Sequence, residues 1–287
     1  MNENITTKDL LNLILENQET PKTTESKEME LEQAISYFLA NQIKNSDDTL
    51  KYYKIEFNCL KTYFKMFDIR STKDLNNDFA LKLINTKKAE GVKNCTINKM
   101  LGTIKAMLNY LVKENLITES HITMQKLKYK EAKLIIPTPE EILRFKKYMD
   151  NQAPLEYRVM FYILIDTGLR RSSIANLLIT DINLDEQSII PSHTKENNEI
   201  KVYFGNKTKS LITEFIMLKK GLKSKFLFPS KSPQKPIEAT TITKIFIGIR
   251  NELGIPSISP HRLRHYFGTN LIRNNVNPEV VRKLLGH

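Results

Sequence analysis

The residues best suited to chemistry stand in one run, Ser259-Pro260-His261-Arg262-Leu263-Arg264-His265-Tyr266. On a helix, His261 and Arg264 lie three positions apart and share a face. A planar guanidinium that keeps its charge, beside an imidazole able to give or take a proton near neutral pH, suits a phosphodiester. The same eight residues also fit a surface helix with a basic face, because short motifs recur by chance.

Two further places offer matching chemistry. Thr167-Gly168-Leu169-Arg170 closes a strongly apolar stretch, residues 155–166, and Ser172 is placed to cap a following helix over 173–178. Arg170 then sits at a junction fixed by a glycine and a cap, where a clamp residue needs to be. An arginine answering the dipole of the preceding helix would stand in the same place. Residues 185–191 and 199–204 read as two short strands of a β-hairpin, which puts Lys195 near its tip. Cys59 and Cys95 make neither a disulfide framework nor a metal-ligand cluster and read as reduced, half-buried residues. The chain has no Gly-rich phosphate loop, so no nucleotide cofactor is expected, and no metal either.

The 287 residues allow two domains with a core in each. With 44 Lys+Arg against 32 Asp+Glu, the formal charge of +12 favours a polyanionic partner. A membrane surface is the weaker candidate, since Met1 to Lys8 lacks a signal pattern and no apolar run reaches spanning length. A cytoplasmic protein is expected. Lysines run throughout, whereas Arg70 is the only arginine before Arg144. Point charges in the front half and bidentate clamps in the back half suggest grasping followed by chemistry.

The elements that must position these residues follow from apolar rhythm. Residues 1–27 read as a loose polar tail with one short helix, and a first solid helix covers about 28–43. Ser46-Asp47-Asp48 opens a second, whose Leu50, Tyr53, Phe57, Leu60, Phe64 and Phe67 recur at spacings of three and four. Beside that stripe run Lys51, Lys54, Lys61 and Lys65, either a solvated face or a phosphate-contacting edge. A third helix, 76–90, ends at Gly91, and a fourth begins at Asn94 or Cys95, carrying Lys99 and Lys105 outward and stopping near Asn115. Residues 28–117 thus form a four-helix domain, and 118–137 a basic linker able to lie along a DNA backbone. Thr138-Pro139-Glu140-Glu141 opens a second domain with N-cap, N1 proline and N3 glutamate. Helices follow at about 207–220 and 240–253, and caps at Ser259-Pro260 and Asn277-Pro278 start the last two.

Taken in order, Thr167-Gly168-Leu169-Arg170, Lys195 in a hairpin, His261-Arg262-Leu263-Arg264-His265 and Leu284-Leu285-Gly286-His287 resemble the tyrosine recombinase (phage-type integrase) family. The resemblance covers the chain from about residue 28. It implies a mainly α, two-domain DNA clamp: a helical core-binding domain over 28–117 and a mixed α/β catalytic domain over 138–287. It further implies that Arg170 and Arg264 grip the scissile phosphate and that Lys195 protonates the leaving 5′ oxygen. His261 and His287 would add phosphate hydrogen bonds, His261 also assisting proton transfer, with Arg171 and Arg262 joining the lysines on DNA. No cofactor or metal is implied. The partner would be double-stranded DNA, on which full-length members act as tetramers.

Two departures stand out. Ser173 occupies a position where the family usually has an acidic residue. The family's nucleophilic tyrosine lies about nine residues past the LGH motif, and this sequence stops at His287. Tyr266 is about 200° round the helix from Arg264 and is expected in the core, and Tyr203 lies on a strand. The expectation is therefore a site-specific recombinase lacking its nucleophile, monomeric without DNA. The alternatives are a catalytically inactive DNA-binding protein that occupies recombination sites and, further off, a type IB topoisomerase.

Overall fold

The computed structural model describes residues 27–42, 47–131, 133–192, 200–219, 221 and 223–286. The N-terminal tail, the Ser46 cap, Lys195 and His287 lie outside these. The chain divides into two compact units, Met1–Glu131 and Ala132–His287.

Among the described residues the first unit holds four α-helices: α1 (Leu31–Ala40), α2 (Asp47–Met66), α3 (Asn77–Ala89) and α4 (Asn94–Lys113). Each turns an apolar stripe inward. Leu31, Ala34, Ile35 and Phe38 of α1 meet Phe57, Leu60 and Phe64 of α2 and the run Ile97, Met100, Leu101, Ile104, Met107, Leu108 and Leu111 of α4. Phe57 is 1 % exposed, so its truncation to alanine costs about 3–5 kcal/mol. The Asn76 side chain caps α3 by accepting from the Phe79 N–H, and Gly91 takes φ 75° beyond the C-cap Glu90. Cys59 is exposed, not half-buried as expected, because it falls on the outer face between Phe57 and Leu60; Cys95 is partly buried and both are free.

The expected linker is half bound. Ile117 and Ile122 are buried in the first core, and hydrogen bonds from α3 and α4 hold the chain as far as Lys128.

In the second unit, α5 (Pro139–Asn151) opens with the expected capping box between Thr138 and Glu141. Helix α6 (Leu155–Thr167) is the hub: Val159 to Leu164 are all buried, so it is apolar nearly all round. It packs against α5, α8 (Asn206–Lys219) and α10 (Pro260–Arg273). Helix α9 (Ala239–Glu252) packs on the one-turn α7 (Arg171–Ala175), and α11 (Pro278–Leu284) on α10.

The sheet departs from expectation. Among the described residues it has three strands, β1 (Ile182–Asn183), β2 (Ser188–Ile189) and β3 (Val202–Tyr203), antiparallel in the order β1-β2-β3. Ile189 pairs with both Ile182 and Val202, which fixes register. The strands are shorter than their apolar runs, and β1 escaped notice because two residues carry no alternation to read. Ser172 does not cap α7. Arg170 is extended at φ −65°, ψ 143°, so the helix begins at Arg171, before Ser172.

Candidate functional site

Helix α6 ends in Gly168, at φ 62° and ψ 17°. That left-handed turn strongly favours glycine, and a Cβ there would stand 2.4 Å from the Phe267 ring of α10. The turn throws Arg170 into an extended conformation, from which its Nη2 donates to the carbonyl of Gly286 at 3.0 Å. Arg264, from the first turns of α10, is only 7 % exposed. Its Nη1 donates to the Gly168 carbonyl at 2.7 Å and its Nη2 to the Leu285 carbonyl.

The two guanidinium groups thus meet on consecutive carbonyls just past the end of α11. Carbonyls at a helix C-terminus lack intrahelical donors and carry the negative end of the dipole, so cations answer them. Gly286 is the corner. It adopts φ 63°, and a Cβ would lie 2.2 Å from Ile200 Cδ1 and 3.5 Å from Arg170 Nη1. Ile200 leads into β3, so the corner also touches the stem of the hairpin. At the other stem, Asp181 is 8 % exposed. It accepts from the Ser192 hydroxyl and, at 2.9 Å, from the Leu178 N–H.

His261 is exposed and faces His265 rather than Arg264, with their Nε2 atoms 2.9 Å apart and ring centroids at 4.3 Å. At that separation one nitrogen donates and the other accepts, so each ring fixes the proton position of the other. Sequence reasoning passed over His265, although its i,i+4 spacing from His261 carried the signal. It also passed over Asp181.

The DNA-contacting residues expected from sequence divide into two groups. Lys51, Lys54, Lys61 and Lys65 are exposed on α2, and Lys99 is exposed on α4. Lys105 instead donates to the Met124 carbonyl and is half-buried. Arg171 donates to Thr243 Oγ1 at 2.6 Å, and Arg262 to the Pro256 carbonyl at 2.6 Å. Those three side chains are engaged within the protein. Ser173 is buried. Tyr266 packs against the second core, as its place on the helix required, and Tyr203 is exposed on β3. Among the described residues no helix is long and apolar enough to cross a membrane.

This mainly α fold, with paired arginines at the end of a buried helix, defines a class, and comparison with known proteins agrees. Residues 137–287 match the model of the phage integrase family. Among curated proteins, a tyrosine recombinase of Thermosipho africanus is 25% identical over 257 residues, 88% of this chain and 89% of that one. The tyrosine recombinase XerD of Oceanobacillus iheyensis is 26% identical over 264 residues, covering 88% and 87%. Among solved structures, the Tn1549 transposon integrase, in complex with transposon right end DNA, superposes with a TM-score of 0.75 at 19% identity, covering 90% of this chain and 92% of that one. A lambda integrase dimer bound to a core site gives 0.69 at 17%, covering 90% and 95%. The chain belongs to the phage integrase family.

Proposed function

We propose that this protein is a site-specific DNA recombinase that binds duplex DNA and exchanges strands through a 3′-phosphotyrosyl intermediate, formed by the tyrosine that the family carries about nine residues past the LGH motif. The observation that carries the reading is the convergence of Arg170 and Arg264 on the Leu285–Gly286 corner. Two forks held by a rigid junction and a buried helix face would grip the non-bridging oxygens of one phosphodiester. They would offset the charge that grows as phosphorus becomes pentacoordinate. Lys195, which the sequence places between Ser192 and Ile200, would protonate the departing 5′ oxygen. His261 would share in proton transfer, and His287 would add a hydrogen bond to the phosphate. The covalent link conserves the energy of the broken bond for rejoining.

The first unit would act as the core-binding domain, with Lys51, Lys54, Lys61, Lys65 and Lys99 on DNA phosphates, in a cytoplasmic protein. A lambda integrase structure is a tetramer on a Holliday junction, and the same assembly is proposed for strand exchange here.

A protein that occupies the site without cutting it is the second reading, because Tyr266 packs against the core and Tyr203 stands on a strand. Both readings are tested by selecting bound duplexes from a random pool. One enriched sequence supports a site-specific protein, and no enrichment overturns it. On the selected site, a chain carrying the tyrosine expected about nine residues past the LGH motif should form an SDS-stable protein–DNA adduct that disappears in Arg170→Ala; binding by that chain without adduct supports the second reading.

A further inference from the structure

The segment from Thr118 to Lys128 has no secondary structure, yet side chains of two helices bind its backbone. Asn77, at the start of α3, accepts through Oδ1 from the N–H groups of Thr123 at 3.0 Å and Met124 at 3.3 Å. Its Nδ2 donates to Thr123 Oγ1 at 2.8 Å. Asn98 of α4 accepts from the Leu127 N–H and donates to the Leu127 carbonyl, both at 2.8 Å, as a neighbouring β-strand would. Asn94 donates to the Lys128 carbonyl at 2.8 Å, and Lys105 to that of Met124. Met124 and Leu127 turn inward against the first core, while Lys126, Lys128 and Lys130 stay exposed.

That arrangement leaves lysines out and apolar residues in on a strap with no fold of its own. Lys126 and Tyr129 also line a groove together with Tyr52 of α2 and Lys99 of α4. Two lysines lining one groove suit a phosphate backbone, and its tyrosines suit the apolar sugar edge beside it.

We propose that Asn77, Asn94 and Asn98 are positioning residues that preorganise Lys126 and Lys128 as a phosphate-contacting edge of the DNA site. The inference rests on the duplex-binding reading above and adds how the segment joining the units is used. An unclasped strap could reach the same phosphates, but binding would then have to order its backbone first. The clasp therefore acts on affinity and leaves the number of phosphates contacted unchanged.

The test uses the full chain and a 30-bp duplex of arbitrary sequence, titrated between about 50 and 200 mM salt, where phosphate contacts set the slope. Asn98→Ala is expected to expose the Leu127 amide to hydrogen exchange and weaken binding roughly tenfold, with the slope of log K against log salt unchanged. Lys126→Ala with Lys128→Ala keeps the clasp and its exchange protection. Its slope should fall by about 1.8, at 0.9 for each lost phosphate contact. If Asn98→Ala exposes Leu127 but binds as tightly as the parent, or if the lysine variant keeps the parental slope, the inference is overturned. The lysine variant decides the matter by itself should Asn98→Ala not fold. A parent chain that fails to bind the duplex at 50 mM salt would instead overturn the duplex-binding reading.

Discussion

Arg264 reaches back 96 residues to place its Nη1 2.7 Å from the carbonyl of Gly168. The second arginine of the site is thereby fixed to the turn that aims the first, two residues before Arg170. A displacement of either guanidinium is felt by the other through two covalent links and one hydrogen bond.

Gly168→Ala tests that turn. Forcing a side chain into the left-handed region costs about 1–2 kcal/mol, and pushing a Cβ into Phe267 about 1–3 more. A urea melt should show a loss of about 2–5 kcal/mol. An unchanged midpoint would mean that Phe267 moves away at no cost.

Arg264→Lys keeps the charge and loses the fork. One ammonium cannot serve both the Gly168 and Leu285 carbonyls, and stranding a buried acceptor costs about 1–3 kcal/mol. Stability should fall by that much in a denaturant titration, and strand cleavage by a chain carrying the expected tyrosine should fall by at least about a hundredfold on the selected site.

The corner at Gly286 is tested by a pair of variants. Gly286→Ala meets both a positive φ of 63° and the Ile200 Cδ1 atom. Ile200→Val shortens the obstructing side chain, so the double variant should recover the packing part of the loss. About 1–2 kcal/mol from the backbone should remain. Strict additivity in thermal melts would separate Ile200 from the corner.

Asp74 contributes to acid stability. Partial burial alone would raise its pKa, but the N–H groups of Arg70 and Ser71, at 2.9 and 2.8 Å, outweigh it and hold the carboxyl below the usual aspartate range. A depressed pKa contributes stability above the ordinary value, lost as pH falls through the folded one, so the window opens below about pH 4. Asp74→Asn should flatten the fall in melting temperature below about pH 4. A parallel fall in both proteins would remove Asp74 from the acid transition.

The lysine stripe on α2 is exposed throughout. Lys51→Ala with Lys61→Ala should reduce the salt slope of duplex binding by about 1.8 and leave the melt unchanged. A parental slope would make the stripe an ordinary solvated face.

Much of this was legible in the sequence. The three-and-four rhythm gave the helices of the first unit within a few residues, and Thr138-Pro139-Glu140-Glu141 gave the start of α5, because caps and periodicity are local. Arg170 and Arg264 stood out by type and spacing. Their partners did not, since the carbonyls of Gly168, Leu285 and Gly286 belong to a backbone that every residue carries. For the same reason residues 118–128 read as linker. They lack periodicity, and the asparagines that hold them lie 29 to 47 residues earlier. His261 was read toward Arg264, whereas the i,i+4 neighbour His265 is the one it meets.

The carbonyl partners of the arginines bear on how the protein is made. Arg170 and Arg264 leave the ribosome 116 and 21 residues ahead of Gly286 and Leu285. Until residues 285 and 286 emerge, both guanidinium groups lack the corner that sets their spacing. A nascent chain that has folded its first unit but not yet released this corner would thus carry two arginines without a preset spacing, so synthesis delays the phosphate grip until the corner has emerged.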